Sequence, residues 1–214
     1  MNTGPILQTS HSRTEMNPPA LSIVIPVFNE ATRIPDSFAQ VQAFLESNSI
    51  FAEIILVDDG STDDTANVIS GFDRSFANTT ALTLPHTGKA GAVLAGLQMA
   101  QGSVVGFVDA DMATPLETWL ECSKRIELGA GVAIATREGT GAIRVGEPWY
   151  RHVMGRAFNG LVRLLLLPGI HDTQCGFKFF TREAIDVILP RCQLYRNASA
   201  VTVARVTAFD VELL

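Results

Sequence analysis

Three stretches of this chain, LSIVIPV (21–27), EIILVDD (53–59) and SVVGFVDA (103–110), are apolar almost without interruption, and each runs into polar or acidic residues. A strand with one wet face alternates polar and apolar residues, so unbroken runs predict burial on both faces. Helices packed above and below a sheet supply that burial, and the segments between the runs read as helices. One helix is expected around Ser37 to Glu46, a second starting at Ser61 to Asp64, and a third from about Lys89 to Ala100. TALTLP (80–85) and GVAIAT (131–136) add two weaker strands, and Pro115 opens the helix after SVVGFVDA at a favoured first-turn position. The pattern predicts an α/β fold with a mostly parallel central sheet and helices on both faces.

In sheets of this kind ligands collect beyond the carboxyl ends of the strands, where loops run into helix starts. The polar residues of the chain fall there in succession. Asn29 and Glu30 follow the first strand, Asp58 and Asp59 end the second, His86 to Lys89 follow the third, and Asp109 and Asp111 follow the fourth. Four strand ends are therefore expected to face one pocket. After residue 137 the pattern loosens and a smaller second subregion is expected. A length of 214 residues suits one domain with a sizeable core better than two.

A net charge of −6 argues against nucleic acid as a partner. An acidic protein that binds an anion needs a local device, either a metal ion or a few placed Lys and Arg. Cys122, Cys175 and Cys192 are odd in number and form no CxxC pair, which speaks against a disulfide framework or zinc site and for a reducing, cytoplasmic setting. Residues 1–19 have neither the basic start nor the apolar core of a signal peptide and read as a disordered lead-in. No run reaches the roughly 18 apolar residues of a spanning helix. The nearest, LVRLLLLPGI (161–170), carries Arg163 and breaks at Pro168, so membrane contact is expected to be peripheral.

Asp109 and Asp111 flank Ala110, a spacing that lets one or both carboxylates reach a divalent cation that also grips a diphosphate. Asp111 can equally be a cap ahead of the next helix. An apolar run followed by Asp-x-Asp also begins the haloacid-dehalogenase phosphatases, but those want Thr or Val two residues past the second acid. This chain has Ala113 there, with Thr114 one place late. In DDGSTD (58–63), Gly60 permits an unusual turn and Ser61 or Asp63 can cap a helix, leaving a strand-end acid to accept from a base N–H or a ribose hydroxyl. PVFNE (26–30) ends a strand at Pro26 and offers Phe28 as a wall, with Asn29 and Glu30 as polar groups for a base and its sugar or, for Asn29, as a cap. HTGKAGAVLAG (86–96) sets Gly88 and Gly91 around Lys89 at a helix start, where a phosphate can approach. It is neither a P-loop nor a GxGxxG fingerprint, so neither an NTPase nor a dinucleotide enzyme is supported.

LSIVIPVFNEATRI, ILVDDGSTDDT, HTGKAGAVLAGLQMAQG, VGFVDADMATP and HDTQCGFKFFTREA, in that order, resemble the family 2 glycosyltransferases with the A-type nucleotide-sugar-binding fold. Within these the chain most resembles the dolichyl-phosphate (polyprenyl-phosphate) β-glucosyltransferases, beside the dolichyl-phosphate mannose synthases, from about residue 20 to 190. The resemblance implies an inverting transfer of a hexose, glucose from UDP-glucose, to a polyprenyl phosphate, assisted by Mg²⁺ or Mn²⁺. It implies that the positions of Pro26, Phe28, Asn29, Glu30, Asp58 and Asp59 hold the nucleotide, that Lys89 lies near it, and that Asp109 and Asp111 serve the metal and diphosphate. It also associates Arg137 with a substrate phosphate, and Gln174 and Lys178 with the donor or acceptor cleft. On this basis residues 20–137 form a nucleotide-sugar-binding half and 138–214 an acceptor-side half. Other readings are a GDP-mannose-dependent transferase, a polysaccharide transferase with a hydroxyl acceptor, a phosphatase using Asp109 as nucleophile, and a silent nucleotide-sugar-binding module.

A phosphate acceptor is already mostly dianionic at neutral pH, its second pKa being about 6, so it needs cations more than a base. Arg137, Arg144 and Arg151 fall in and after the loop expected to face it. Asp210 is the candidate base for a hydroxyl acceptor, or else a helix cap. In WYRHVMGRAFNGLVRLLLL (149–167), His152, Arg156, Asn159 and Arg163 draw a polar stripe and Met154, Phe158, Leu161 and Leu165 an apolar one. Such a helix suits the cytoplasmic face of a bilayer or packs on its own core. The family pattern is lost over RCQLYRNASAVTVARVTA (191–208), and relatives run on past FDVELL (209–214), so an acceptor-side helix is expected to be missing. Asn197-Ala198-Ser199 matches a glycosylation signal by chance.

Overall fold

The computed structural model describes residues 19–136, 175–192 and 213. The lead-in to residue 18, the amphipathic segment 149–167, and Arg137, Arg144, Arg151, Gln174, Asn197 and Asp210 lie outside the described residues. Strand β1 (Leu21–Val27) is followed by α1 (Ile34–Ser47), β2 (Ala52–Asp58), α2 (Thr65–Ser75), β3 (Thr79–Thr83), α3 (Lys89–Met99), β4 (Val104–Val108), α4 (Thr118–Glu127) and β5 (Val132–Ile134). Then come β6 (Phe177–Thr181), α5 (Arg182–Ile188) and a 3₁₀ turn at Leu189–Arg191.

The six strands form one sheet in the order β3-β2-β1-β4-β6-β5. The first four are mutually parallel, which is why β1 is buried along its whole length and β2 everywhere but at Glu53, both carrying long apolar runs. Alternate side chains feed two cores. Ile23, Ile25, Ile54 and Leu56 meet Phe38 and Val41 of α1, Ile69 of α2 and Trp119 of α4. Val24, Ile55, Val57, Val105 and Phe107 meet Val93 and Leu97 of α3 and Ile185 of α5. The sheet is covered on both faces, as continuous apolar strands require.

Three expectations are corrected. Helix α1 begins at Ile34, before Ser37, with Pro35 in its first turn, whereas α2 begins at Thr65 with Asp64 as its N-cap, where its start was expected. Pro115 opens only a turn, its carbonyl accepting from Thr118 N at 3.0 Å, and continuous helix starts at Thr118. The loosened pattern after residue 137 hides a well-formed strand. β6 inserts antiparallel between β4 and β5, pairing Val105 with Phe180 and Phe107 with Lys178. Phe177, Phe179 and Phe180 are each at most 1% exposed, and burying each such ring contributes about 1.5–3 kcal/mol. The far part of the chain thereby builds one wall of the β4 end.

Candidate active site

A cleft of about 300 Å³ opens over the carboxyl ends of the parallel strands, a size suited to a small polar ligand. The β1 end contributes Pro26, Phe28 and Glu30, β2 contributes Asp59, the loop after β3 contributes His86 and Lys89, and β4 contributes Asp109 and Asp111. The four strand ends singled out in the sequence do converge. Val27, Arg33 and Ala110 also line the cleft and were not anticipated. Of these Arg33 had a signal, since it stands one helical turn from Glu30 and pairs with it at 2.9 Å.

The first two loops are stitched together by hydrogen bonds. Asn29, at φ +55°, accepts from Thr62 N at 2.8 Å through Oδ1 and donates its own N–H to Ser61 Oγ at 2.8 Å. Glu30 N donates to Thr65 Oγ1 at 2.8 Å, and Ala31 N donates to Asp63 Oδ2 at 3.2 Å. The Thr65 hydroxyl donates in turn to Asp63, which holds that carboxyl below its ordinary range. Asn29 is thus a clamp between loops, outside the cleft lining.

The acids that end β2 are consumed inside the protein. Asp58 is fully buried and its Oδ1 accepts from the backbone N–H of Ser61, at 3.1 Å, and from the Ser61 hydroxyl. Gly60 sits in this turn at φ +72°, and a Cβ there would come within 2.7 Å of His86 N. Asp59 is 2% exposed. Its Oδ1 accepts from Thr87 N at 2.8 Å and Gly88 N at 3.1 Å, while Oδ2 meets Gly88 N at 2.9 Å and His86 Nδ1 at 2.8 Å. Nδ1 also lies 3.0 Å from the Asp59 carbonyl. Both neighbours of Nδ1 are acceptors, so it carries the proton. The His86 ring then stacks on Phe28, with centroids 4.4 Å apart and planes 20° from parallel. Asp59 therefore positions a two-ring platform at one end of the cleft and the start of α3 beside it.

The acids that end β4 are deployed differently. Asp109 N donates to Gly176 O at 3.0 Å, which fixes the backbone against the approach to β6. A Cβ on Gly176 would lie 1.9 Å from Asp109 Oδ2, so only glycine leaves room for that carboxylate. Ser37 Oγ donates to Ala110 O at 2.5 Å and ties the loop to α1. Met112 adopts φ +49°, and Asp111 Oδ1 accepts from Ala113 N at 3.0 Å. Asp111 is exposed toward the cleft, and Asp109 Oδ1 meets Lys89 Nζ at 2.5 Å.

Among the described residues no three His, Cys, Asp or Glu side chains converge. Mg²⁺ or Mn²⁺ held with a diphosphate needs only one or two protein carboxylates, the other positions being phosphate oxygens and water. Asp109 and Asp111 fit that requirement, since both line the cleft and Asp109 already holds a cationic group.

Lys178 is fully buried in β6, with Nζ donating to Cys175 O at 2.8 Å and lying 5.2 Å from the centre of the Phe107 ring. It supports the turn that leads through Gly176 to Asp109. Gly176 lies within the HDTQCGFKFFTREA motif, but its role beside Asp109 exists only once β6 pairs with β4. No helix of the described residues is long and apolar enough to cross a membrane.

Residues 22–189 match the model of the family described as glycosyl transferase family 2. A dolichyl-phosphate beta-glucosyltransferase of Trichomonas vaginalis is 33% identical over 205 residues, covering 90% of this chain and 58% of the relative. The human dolichyl-phosphate beta-glucosyltransferase is 32% identical over 209 residues, covering 91% of this chain and 61% of the relative. The chain thus spans about three fifths of the length of these curated relatives. Glucosyl-3-phosphoglycerate synthase from Mycobacterium tuberculosis, solved in complex with Mn²⁺, uridine-diphosphate-glucose and phosphoglyceric acid, superposes with a TM-score of 0.55 at 22% identity, covering 78% of this chain and 58% of that one. That likeness shows the nucleotide-diphospho-sugar transferase (A-type) fold. With the sheet order, the converging strand ends and these matches in agreement, the chain belongs to the family 2 glycosyltransferases.

Proposed function

We propose that this chain carries the donor site of a metal-dependent inverting transferase that moves glucose from UDP-glucose to a polyprenyl or dolichyl phosphate, at the cytoplasmic face of a membrane. The observation that supports it most is that Asp109, Asp111 and Lys89 line one cleft, with Lys89 Nζ 2.5 Å from Asp109 Oδ1. The curated relatives named for dolichyl-phosphate glucosylation across nine tenths of the chain support the acceptor and sugar. A divalent ion, when bound, would supply charge neutralisation for the departing diphosphate.

The chain's own residues do the rest. Phe28 and His86 offer stacked rings for a pyrimidine base, and Glu30 offers a carboxylate for ribose hydroxyls. Asp59 keeps that platform in place through His86, Thr87 and Gly88. Lys89 and the start of α3 present positive charge to the phosphates. Asp109 and Asp111 hold the cation. An oxygen of the acceptor phosphate forms the new bond to the anomeric carbon while the bond to the diphosphate breaks and its electron pair leaves with UDP. No proton need move, because the acceptor is already ionised. Arg137 and Gln174 are proposed to hold the acceptor phosphate, Lys178 to support the cleft from below, and Asp210 to act as base only for a hydroxyl acceptor.

Calorimetry with UDP and GDP, each with and without Mn²⁺, tests the donor, and radiolabelled UDP-glucose with dolichyl phosphate tests turnover. Manganese-dependent UDP binding and lipid-phosphate glucose are expected. A preference for GDP moves the reading to mannose transfer. Release of phosphate from simple monoesters overturns it.

A further inference from the structure

Lys89 and Asp109 meet at 2.5 Å, yet the donor complex proposed above asks each of them to face something else. Lys89 opens α3, whose N-cap Gly88 makes no side-chain cap, so its ammonium and the helix start form one positive end at the cleft. Asp109 is a cation ligand in that complex. The remaining charges of the cleft are arranged in closed pairs: Arg33 with Glu30 at 2.9 Å, and His86 with Asp59 at 2.8 Å. Among the described residues Asp111 has no ion-pair partner, and Lys89 is the single cation touching either acid of the β4 end. The Lys89 and Asp109 side chains are 40% and 32% exposed. Asp109 Oδ1 is itself buried, but water reaches the rest of both side chains, and a four-carbon stem with no second anchor among the described residues can swing.

We propose that Lys89 is a built-in counter-ion that competes with the divalent cation for Asp109 and transfers to the diphosphate when the donor binds. This rests on the reading of Asp109 and Asp111 as the cation–diphosphate site. A cation arriving alone must displace the lysine and binds weakly. A diphosphate draws the lysine away, bares Asp109, and so strengthens cation binding, and the coupling is reciprocal by linkage. The lysine thus makes donor and metal binding mutually dependent, which discourages a cation from occupying the site without its substrate.

The test measures Mn²⁺ binding by electron paramagnetic resonance, and UDP binding by calorimetry, in the wild type, Lys89→Met, Asp109→Asn and the double variant. Lys89→Met is expected to bind MnCl₂ alone about tenfold more tightly, and UDP in the presence of Mn²⁺ about tenfold more weakly, so that the factor by which UDP raises Mn²⁺ affinity falls. In the Asp109→Asn background the gain in Mn²⁺ affinity from removing the lysine should vanish, because it runs through that carboxylate. Lys89→Gln repeats the experiment with a polar side chain, and thermal unfolding checks that each variant is folded. Unchanged or weaker Mn²⁺ binding by Lys89→Met overturns the proposal, as does a gain that persists without Asp109. Should the wild type bind UDP with no response to Mn²⁺, the metal reading itself falls, an outcome distinct from intact Mn²⁺–UDP binding that ignores Lys89.

Discussion

Two strands of one sheet, β2 and β4, both end in a pair of acids at the same cleft, and the two pairs have opposite fates. Asp58 and Asp59 are at most 2% exposed; Asp58 Oδ1 and both Asp59 oxygens receive N–H and O–H groups of Ser61, Thr87, Gly88 and His86, while Asp58 Oδ2 is buried with no hydrogen-bond partner among the described residues. Asp109 and Asp111 accept few internal donors and lie open to the cleft, one beside a lysine. A carboxylate engaged by internal N–H and O–H donors is an architectural element, because the protein solvates much of its charge. A carboxylate left to a mobile cation is available for exchange. Acid pairs at strand ends are thus distinguished by their donors, not by their spacing.

The largest expected effect breaks this contrast on its functional side. Asp111→Asn weakens a proposed cation ligand whose one backbone contact, from Ala113 N to Oδ1, an amide oxygen can keep, so glucose transfer should fall by about 100- to 1000-fold, while the urea midpoint stays within about 0.5 kcal/mol of wild type. A comparable loss of stability would place Asp111 with the β2 acids. Gly176→Ala comes next. Its methyl group would strike the Asp109 carboxylate, 1.9 Å from Oδ2 in the present geometry, and a displacement of about 1 Å at a reacting site costs on the order of 100-fold in rate. Mn²⁺–UDP affinity should drop with it, and full activity would show that Asp109 need not be held where Gly176 allows. The reverse experiment is Asp58→Ala. It removes the acceptor of the Ser61 N–H and O–H in a part-buried turn, which costs about 1 kcal/mol, read as a lowered urea midpoint. UDP affinity of the folded fraction should change far less than in Gly176→Ala.

The same contrast marks what the sequence made legible. The parallel strands were readable because LSIVIPV and EIILV have no polar face to show to water, and the cleft because polar residues stop each run. β6 was not readable in advance as an interior strand. Its partner β4 lies 75 positions earlier at the Val105–Phe180 pairing, and nothing local in FKFFT says that it runs antiparallel. The DxD and DDGS acids looked alike because composition carries no record of which donors fold back on them. Those donors come from Thr87 and Gly88, which reach Asp59 only after β3 is laid beside β2. Arg137, Gln174 and Asp210 fall outside the described residues.

The smallest effect separates the two ends by the direction of their pH response. Next to β2, the Thr65 hydroxyl and backbone hold the Asp63 carboxyl below its ordinary value of 3.8. A depressed native pKa means that the unfolded chain binds the proton first, so this contribution is complete above about pH 4 and disappears as pH falls through the lower native value. After β4, burial pushes the Cys122 thiol of α4 from 9.0 to about 11. Here the native state keeps its proton longer, so the contribution is present below pH 9.0 and is lost as pH rises toward 11. Urea titrations of Asp63→Asn should therefore flatten the acid limb of stability and leave the alkaline limb unchanged. Cys122→Ala, compared with wild type across pH 8 to 11, should remove the alkaline dependence alone. An alkaline limb that persists in Cys122→Ala would mean that the thiol after β4 is not what senses pH there.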